Sequence, residues 1–266
     1  MLFRDWLCAG FKFREETFGY EVYTENFYKD SMINSRKSAE TIIPLILDMI
    51  PVRSVIDVGC GVGVWLSIFA KRGIDDILGV DGKWLAKKYL QIAKEKFLSH
   101  DLRKSLKIDR QFDLVISLEV AEHLPAECAD DFVDSLVKLG PVVLFSAAVP
   151  MQGGISHLNE QWPDYWSKRF QAKGYVTVDA IRKKIWQKDI SSIYTQNMLI
   201  FAQKDYLEKQ PLLKKELDNT FIEQLSVIHP RFYLYKIDPR EAFLGQTIAA
   251  LPVLLMNWLK QKLRIR

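Results

Sequence analysis

The sequence predicts an α/β fold in which helices cover both faces of a mostly parallel sheet. Three observations carry this. An apolar run, Val52 to Ile56, leads through Asp57 into a glycine-rich turn, Gly59-Cys60-Gly61-Val62-Gly63, and then into a helical segment opening at Val64. Short apolar runs alternate with helical patterns from about residue 38 to about residue 203, the order expected of a parallel sheet with crossover helices. The run Phe112 to Leu118 is apolar almost throughout, the pattern of a strand buried on both faces.

The elements follow in chain order. Ser38 to Ile50 reads as an amphipathic helix ahead of the first strand, and Ile77 to Val80 is a second strand that ends in Asp81. Phe97 to Leu102 contains a short third strand ending at Asp101; Phe112 to Leu118 is the fourth and Pro141 to Ala147 the fifth. Tyr175 to Val178 and Met198 to Ala202 supply the sixth and seventh. Three segments result: an aromatic-rich leader or lid at 1–37, carrying Phe18, Tyr20, Tyr23, Phe27 and Tyr28; a ligand-binding domain at 38–203; and a helical extension at 204–266.

The chain has 266 residues, 48% hydrophobic and 26% charged, which suits one globular domain with appendages. A net charge of +4 without a clustered basic stripe does not call for nucleic acid. Cys8, Cys60 and Cys128 form no C-x-x-C pair and no zinc spacing, so they read as reduced thiols of a cytoplasmic protein. The N-terminus lacks the clean apolar core of a signal peptide. Residues 243–266 are apolar, interrupted at Pro252, and end in Lys260, Lys262, Arg264 and Arg266. Such a segment docks on the core or a second subunit, or lies at a membrane surface; the sequence leaves both open, and it does not specify an oligomeric state.

The chemistry starts at the turn. Glycines admit positive φ and let a ligand approach the backbone, and the helix that follows offers unpaired N–H groups. Asp81, about 20 residues beyond the turn, stands where a carboxylate accepts both hydroxyls of a ribose; as part of Val-Asp-Gly it also reads as a plain turn residue. Asp101 is either a ligand contact or a cap.

The glycines fall as G-x-G-x-G with an acid two residues ahead, not as the G-x-G-x-x-G of dinucleotide sites. This motif resembles the first motif of the class I S-adenosylmethionine (SAM)-dependent methyltransferases. The string FDLVISLEVAEHLP (112–125) is similar to that of small-molecule and quinone methyltransferases in the class. The loop GGxxHxNEQWPxYW (153–166) resembles a subgroup found in bacterial saccharide and natural-product pathways. The resemblance implies a Rossmann-like seven-stranded sheet with an antiparallel hairpin at one edge, and SAM as cofactor. It further implies that Asp57, Gly59, Cys60, Gly61 and Gly63 build the pocket for the amino-acid tail. Asp81 and Gly82 would then hold the ribose, Asp101 and Leu102 would flank the adenine, and Ser117, Leu118 and Glu119 would close the site. The Asp/Asn-Pro-Pro-aromatic motif of DNA and protein amino-methylating enzymes is absent.

Methyl transfer to a hydroxyl needs a base, for which imidazole suits neutral pH. His157 is the first candidate and His123 the rival, with Glu160 or Glu122 to orient the ring. Both histidines also read as loop-shaping residues, and a nucleophilic acceptor would need no base. A carboxylate and a histidine suggest a metal, but the ligand set is incomplete along the chain, so no metal is assigned. Trp162, Tyr165 and Trp166 are either substrate-side aromatics or core. The reading is a methyltransferase acting on a small-molecule or saccharide acceptor, at oxygen. The alternatives are a membrane-associated lipid or quinone methyltransferase, an RNA methyltransferase and a non-catalytic SAM-binding module.

Overall fold

The computed structural model describes residues 25–237 apart from 86, the side chains from 32 onward, and seven positions between 251 and 262. The lid aromatics Phe18, Tyr20 and Tyr23, the side chains of Phe27 and Tyr28, and most of the 243–266 segment lie outside the described residues.

Seven strands form one sheet: β1 (Ser54–Val58), β2 (Asp76–Asp81), β3 (Phe97–Ser99), β4 (Leu114–Leu118), β5 (Val142–Ser146), β6 (Tyr175–Val178) and β7 (Leu199–Gln203). Their order is β3-β2-β1-β4-β5-β7-β6. The first five pair in parallel, and β7 runs antiparallel between β5 and β6. The predicted fold class, with its antiparallel edge, is therefore observed. Chain order reverses between β1 and β4, so a crevice opens there beyond the carboxyl ends of the strands.

The helices are α1 (Glu25–Leu47), α2 (Val64–Lys71), α3 (Ala129–Leu139), α4 (Pro163–Ala172), α5 (Arg182–Ile185), α6 (Ser192–Asn197), α7 (Lys204–Leu207), α8 (Pro211–Asp218) and α9 (Pro230–Ile237). The helix predicted from Ser38 begins at Glu25 and ends at Leu47. Its first turns mix Phe27 and Tyr28 with polar residues, and Ile33 and Asn34 are exposed, so no apolar period marks them in the sequence. The expected boundary at residue 37 falls inside this helix.

Alternate strand residues feed two apolar layers. Val55, Leu114, Ile116, Leu144 and Ile200 pack with α1 and α2 on one face; Ile56, Val115, Val143, Phe145 and Phe201 pack with α3 and α4 on the other. On the second face Phe170 stacks on Phe201, ring centroids 3.8 Å apart and 8° from parallel; Phe145 meets both edge-on, and Trp166 packs against Phe145. Trp166 is core, not pocket. Tyr175 donates its hydroxyl to the carbonyls of Val137 and Gly140 at 2.9 and 2.8 Å, and burial pushes its pKa up to about 12. No helix among the described residues is long and apolar enough to cross a membrane.

Replacing a fully buried aromatic leaves a cavity as well as losing transfer energy. Phe170→Ala should cost about 3–5 kcal/mol in urea denaturation, without changing ligand affinity per folded molecule. A cost below about 1 kcal/mol would show that this layer does not hold the sheet.

Candidate active site

β1 ends in Asp57 and Val58, and the turn that follows is clamped to the end of β2: Gly59 and Cys60 both donate N–H to the carbonyl of Val80, at 2.8 and 3.1 Å. Gly59 has φ 89°, and a Cβ there would stand 2.2 Å from Cγ2 of Val120. Gly61 has φ 52°, yet a Cβ on it would meet nothing within 4 Å; it borders a cavity of about 660 Å³. This volume lies within the usual range of ligand pockets.

Asp57, Gly59, Cys60, Gly61, Asp81, Asp101, Leu102, Leu118, Glu119 and His123 all line that cavity. Three of the predicted contacts do not. Gly63 starts α2 in the left-handed region and packs on Ile92. Gly82 donates its N–H to Asp81 and packs against Trp84. Ser117 is fully buried in β4, its hydroxyl without a hydrogen-bond partner. These residues shape the wall from behind.

The cavity is rich in buried acid. Asp81 takes the N–H of Gly61 on one oxygen at 2.7 Å and that of Gly82 on the other at 2.6 Å. Each oxygen keeps a further lone pair. Burial raises its pKa against these two donors. Burial, then the charge of Asp81, holds Asp57 well above the usual carboxylate range. The same two effects push the Cys60 thiol up, with Asp57 and Asp81 the charges at work, so Cys60 stays a thiol and not a nucleophile. Asp101 is fixed by Arg103, whose Nε and Nη2 each reach a carboxylate oxygen at 3.0 Å and lower its pKa.

The opposite wall is built from β4 and the loop after β5. Glu119 sits at φ 55°, a costly conformation for a residue with a side chain. Gln152 donates to its carboxylate at 2.8 Å and Asn197 at 3.1 Å; burial raises the pKa and these amides offset it. Glu122 is fully buried, and neither of its carboxylate oxygens makes a well-formed hydrogen bond. Burial, then the neighbouring Glu119, holds its pKa well above the usual range, and the backbone of Glu122 and Ala148 partly opposes this. Its backbone carbonyl accepts N–H groups from Leu158 and Asn159, which docks the loop.

His123 faces the cavity, while His157 stands behind it, the rings meeting edge-to-face at 4.8 Å. Burial, then His157, lowers the pKa of His123, and backbone at Ser156 and Ile155 partly opposes this. His157 donates Nδ1–H to Glu160 at 2.8 Å, since a carboxylate can only accept there. Glu160 also accepts the N–H groups of Met151 and Gly153. The predicted orienting role of Glu160 thus has its geometry, and Glu160 holds the loop as well.

Several cavity residues escape sequence reasoning. Ser191, Ile193 and Tyr194 come from the α6 region, Met32, Asn34 and Ser35 from α1, and Trp84 and Leu85 from the loop after β2. Tyr194 meets Trp65 edge-on at 5.4 Å, and burial pushes its hydroxyl up to about 12. Its signal is faint: a polar Thr195-Gln196-Asn197 just before an apolar strand. Trp162 and Tyr165 do not reach the cavity.

The profile of a methyltransferase-domain family matches residues 34–187, more than half of the chain. The chain belongs to that family. It is 36% identical over 102 residues to ribosomal protein L11 methyltransferase of Thermosipho africanus, across 35% of this chain and 37% of the relative. It is 33% identical over 114 residues to ubiquinone biosynthesis O-methyltransferase of Bordetella avium, across 35% of this chain and 42% of the relative. The chain spans well under half the length of these curated relatives. Among solved structures it is similar to magnesium protoporphyrin IX methyltransferase from Synechocystis PCC 6803 with bound SAM. There the identity is 20%, the TM-score 0.47, and the coverage 70% of this chain and 88% of the other.

SAM is the methyl donor of this methyltransferase family, and the cavity suits it. The open face of Gly61 leaves room for a ligand against the backbone. Asp81 keeps acceptor capacity for two hydroxyls, and Asp57, Asp81 and Glu119 answer a sulfonium and an ammonium.

A buried carboxylate without a cation is a stability cost kept for binding. Asp57→Asn should raise Tm of the unliganded protein by roughly 2–4 °C, as about 1 kcal/mol does in a chain this size. It should weaken SAM binding about 10-fold or more, the value of a lost charge-assisted bond. The pH dependence runs the same way. Asp57 and Asp81 have folded pKa values above their unfolded ones, so their contribution to stability is present at low pH and lost as pH rises through the folded values. SAM binding should weaken as pH falls through the same window; affinity that rises on acidification would contradict this.

Proposed function

We propose that this methyltransferase moves the methyl group of SAM to an oxygen of a small-molecule or saccharide acceptor. Asp57 and the Gly59–Gly61 backbone hold the amino-acid tail, Asp81 the ribose, Asp101 and Leu102 the adenine, and Leu118 and Glu119 the sulfonium end. SAM supplies an electrophilic methyl carbon on a positively charged sulfur. The acceptor oxygen must reach that carbon in line with the bond being broken and must lose its proton. His123 faces the same cavity as Asp81 and Gly61, with His157 and Glu122 directly behind. That shared cavity is the observation that carries the reading: the residues proposed to hold the cofactor and His123 line one space. The O-methyltransferase name of one curated relative supports oxygen as the acceptor atom.

A second reading has its own observation. Tyr233, Leu234, Tyr235 and Ile237 of α9, and Leu251, Leu255, Met256 and Trp258 beyond it, are exposed apolar side chains. They favour a lipid or quinone acceptor presented at a membrane surface.

Calorimetric titration with SAM should show saturable binding, absent for NAD and at least about 10-fold weaker in Asp81→Ala. Labelled SAM should then mark hydroxyl acceptors and not their deoxy analogues. A folded sample that binds NAD and not SAM would sink the reading. Co-sedimentation with anionic liposomes, unchanged by deleting residues 243–266, would remove the membrane variant.

A further inference from the structure

Glu122, His123 and His157 each place one ligating atom within 4.8 Å of the other two. Ligands on one tetrahedral ion at about 2.0–2.2 Å sit roughly 3.4 Å apart, so the three side chains have to draw in by up to roughly 1.4 Å around a cation. We propose that these three side chains bind one divalent transition-metal cation at the edge of the cofactor cavity. The site stands on geometry; its role in transfer rests on the methyltransferase reading above.

Glu122 makes the strongest case. Its side chain is wholly buried, and neither carboxylate oxygen makes a well-formed hydrogen bond, with only the backbone of Glu122 and Ala148 and the carboxyl of Glu119 near it. A buried carboxylate left so is costly. Among the described residues no ion pair reaches Glu122 or Glu119. A cation between Glu122 and the two imidazoles supplies the missing partner.

The ring orientation agrees. His157 gives its Nδ1–H to Glu160, whose carboxylate is pinned by two backbone N–H groups. This leaves Nε2 with the lone pair, and a carboxylate behind the ring is the usual support of a metal-bound histidine. Gly154 lies against that nitrogen: a Cβ there would stand 2.2 Å from Nε2. Any larger residue would displace the ring.

Two imidazoles and one carboxylate suit zinc, manganese or iron better than calcium or magnesium. Three protein ligands leave open positions, and His123 puts them on the cavity side. An acceptor hydroxyl entering there is acidified. Its proton leaves to water, its oxygen bonds the methyl carbon, and the electron pair of the broken carbon–sulfur bond stays on sulfur.

The test uses the full chain, stripped with a chelator and titrated with Co²⁺ and Mn²⁺ by calorimetry, with Co²⁺ absorption to separate nitrogen–oxygen from thiolate ligation. One ion per chain without a thiolate band is expected. Binding should weaken at least about 100-fold in Glu122→Gln and His157→Ala, and about 10-fold in Glu160→Gln. SAM affinity of the same samples, checked for native circular dichroism, should stay within about twofold. No binding by the folded wild type, or binding unchanged in Glu122→Gln, overturns the site. A protein that binds SAM and no cation loses the site and keeps the transfer reading. One that binds the cation and no SAM keeps the site and loses that reading.

Discussion

Three buried carboxylates and a fourth, half-buried one at one edge of an apolar sheet set the terms for the rest of this molecule. Asp57 and Asp81 stand on one side of the crevice, Glu119 and Glu122 on the other, and no arginine or lysine pairs with any of them among the described residues. Such a concentration of acid is expensive in isolation. The chain manages it with backbone N–H groups on Asp81 and side-chain amides on Glu119. What remains is answered by positive charge from outside: a sulfonium cofactor on one wall and, as proposed, a metal cation on the other.

The fold makes that concentration possible. Parallel strands buried on both faces end together, and the reversal of strand order between β1 and β4 opens space where they end. Asp57, Asp81 and Glu119 are therefore placed at strand ends, and Glu122 by the short turn Ala121–His123 just beyond β4. The loop after β5 is anchored twice, through the carbonyl of Glu122 and through Gln152 on Glu119. A segment without regular structure thus holds His157 in a fixed position.

The cavity wall that carries Asp57, Gly61 and Asp81 was legible in the sequence because its parts are local. An apolar run, an acid, closely spaced glycines and a second strand ending in Asp81 lie within one strand–helix–strand unit, and their chemistry follows from order alone. The other wall is not local. Glu122 and His157 lie in separate loops, and Asn197 arrives from a helix beside the antiparallel edge, so nothing in the linear order announces that they meet. Gly63, Gly82 and Ser117 show the opposite limit: the motif includes them, but their surroundings make them supports of the wall. The helix from Glu25 was hidden for a third reason. The sequence of its first turns carries no apolar period, and periodicity is what sequence reading detects.

The account stands on cofactor and acceptor chemistry sharing one cavity, and a crystal structure with S-adenosylhomocysteine tests that directly. The ribose hydroxyls should lie within hydrogen-bond distance of both Asp81 oxygens, with the sulfur turned toward the wall formed by Glu119 and His123. A nucleoside seated elsewhere, such as the separate groove lined by Arg182, Trp186 and Phe221, or a sulfur turned away from that wall, would contradict it.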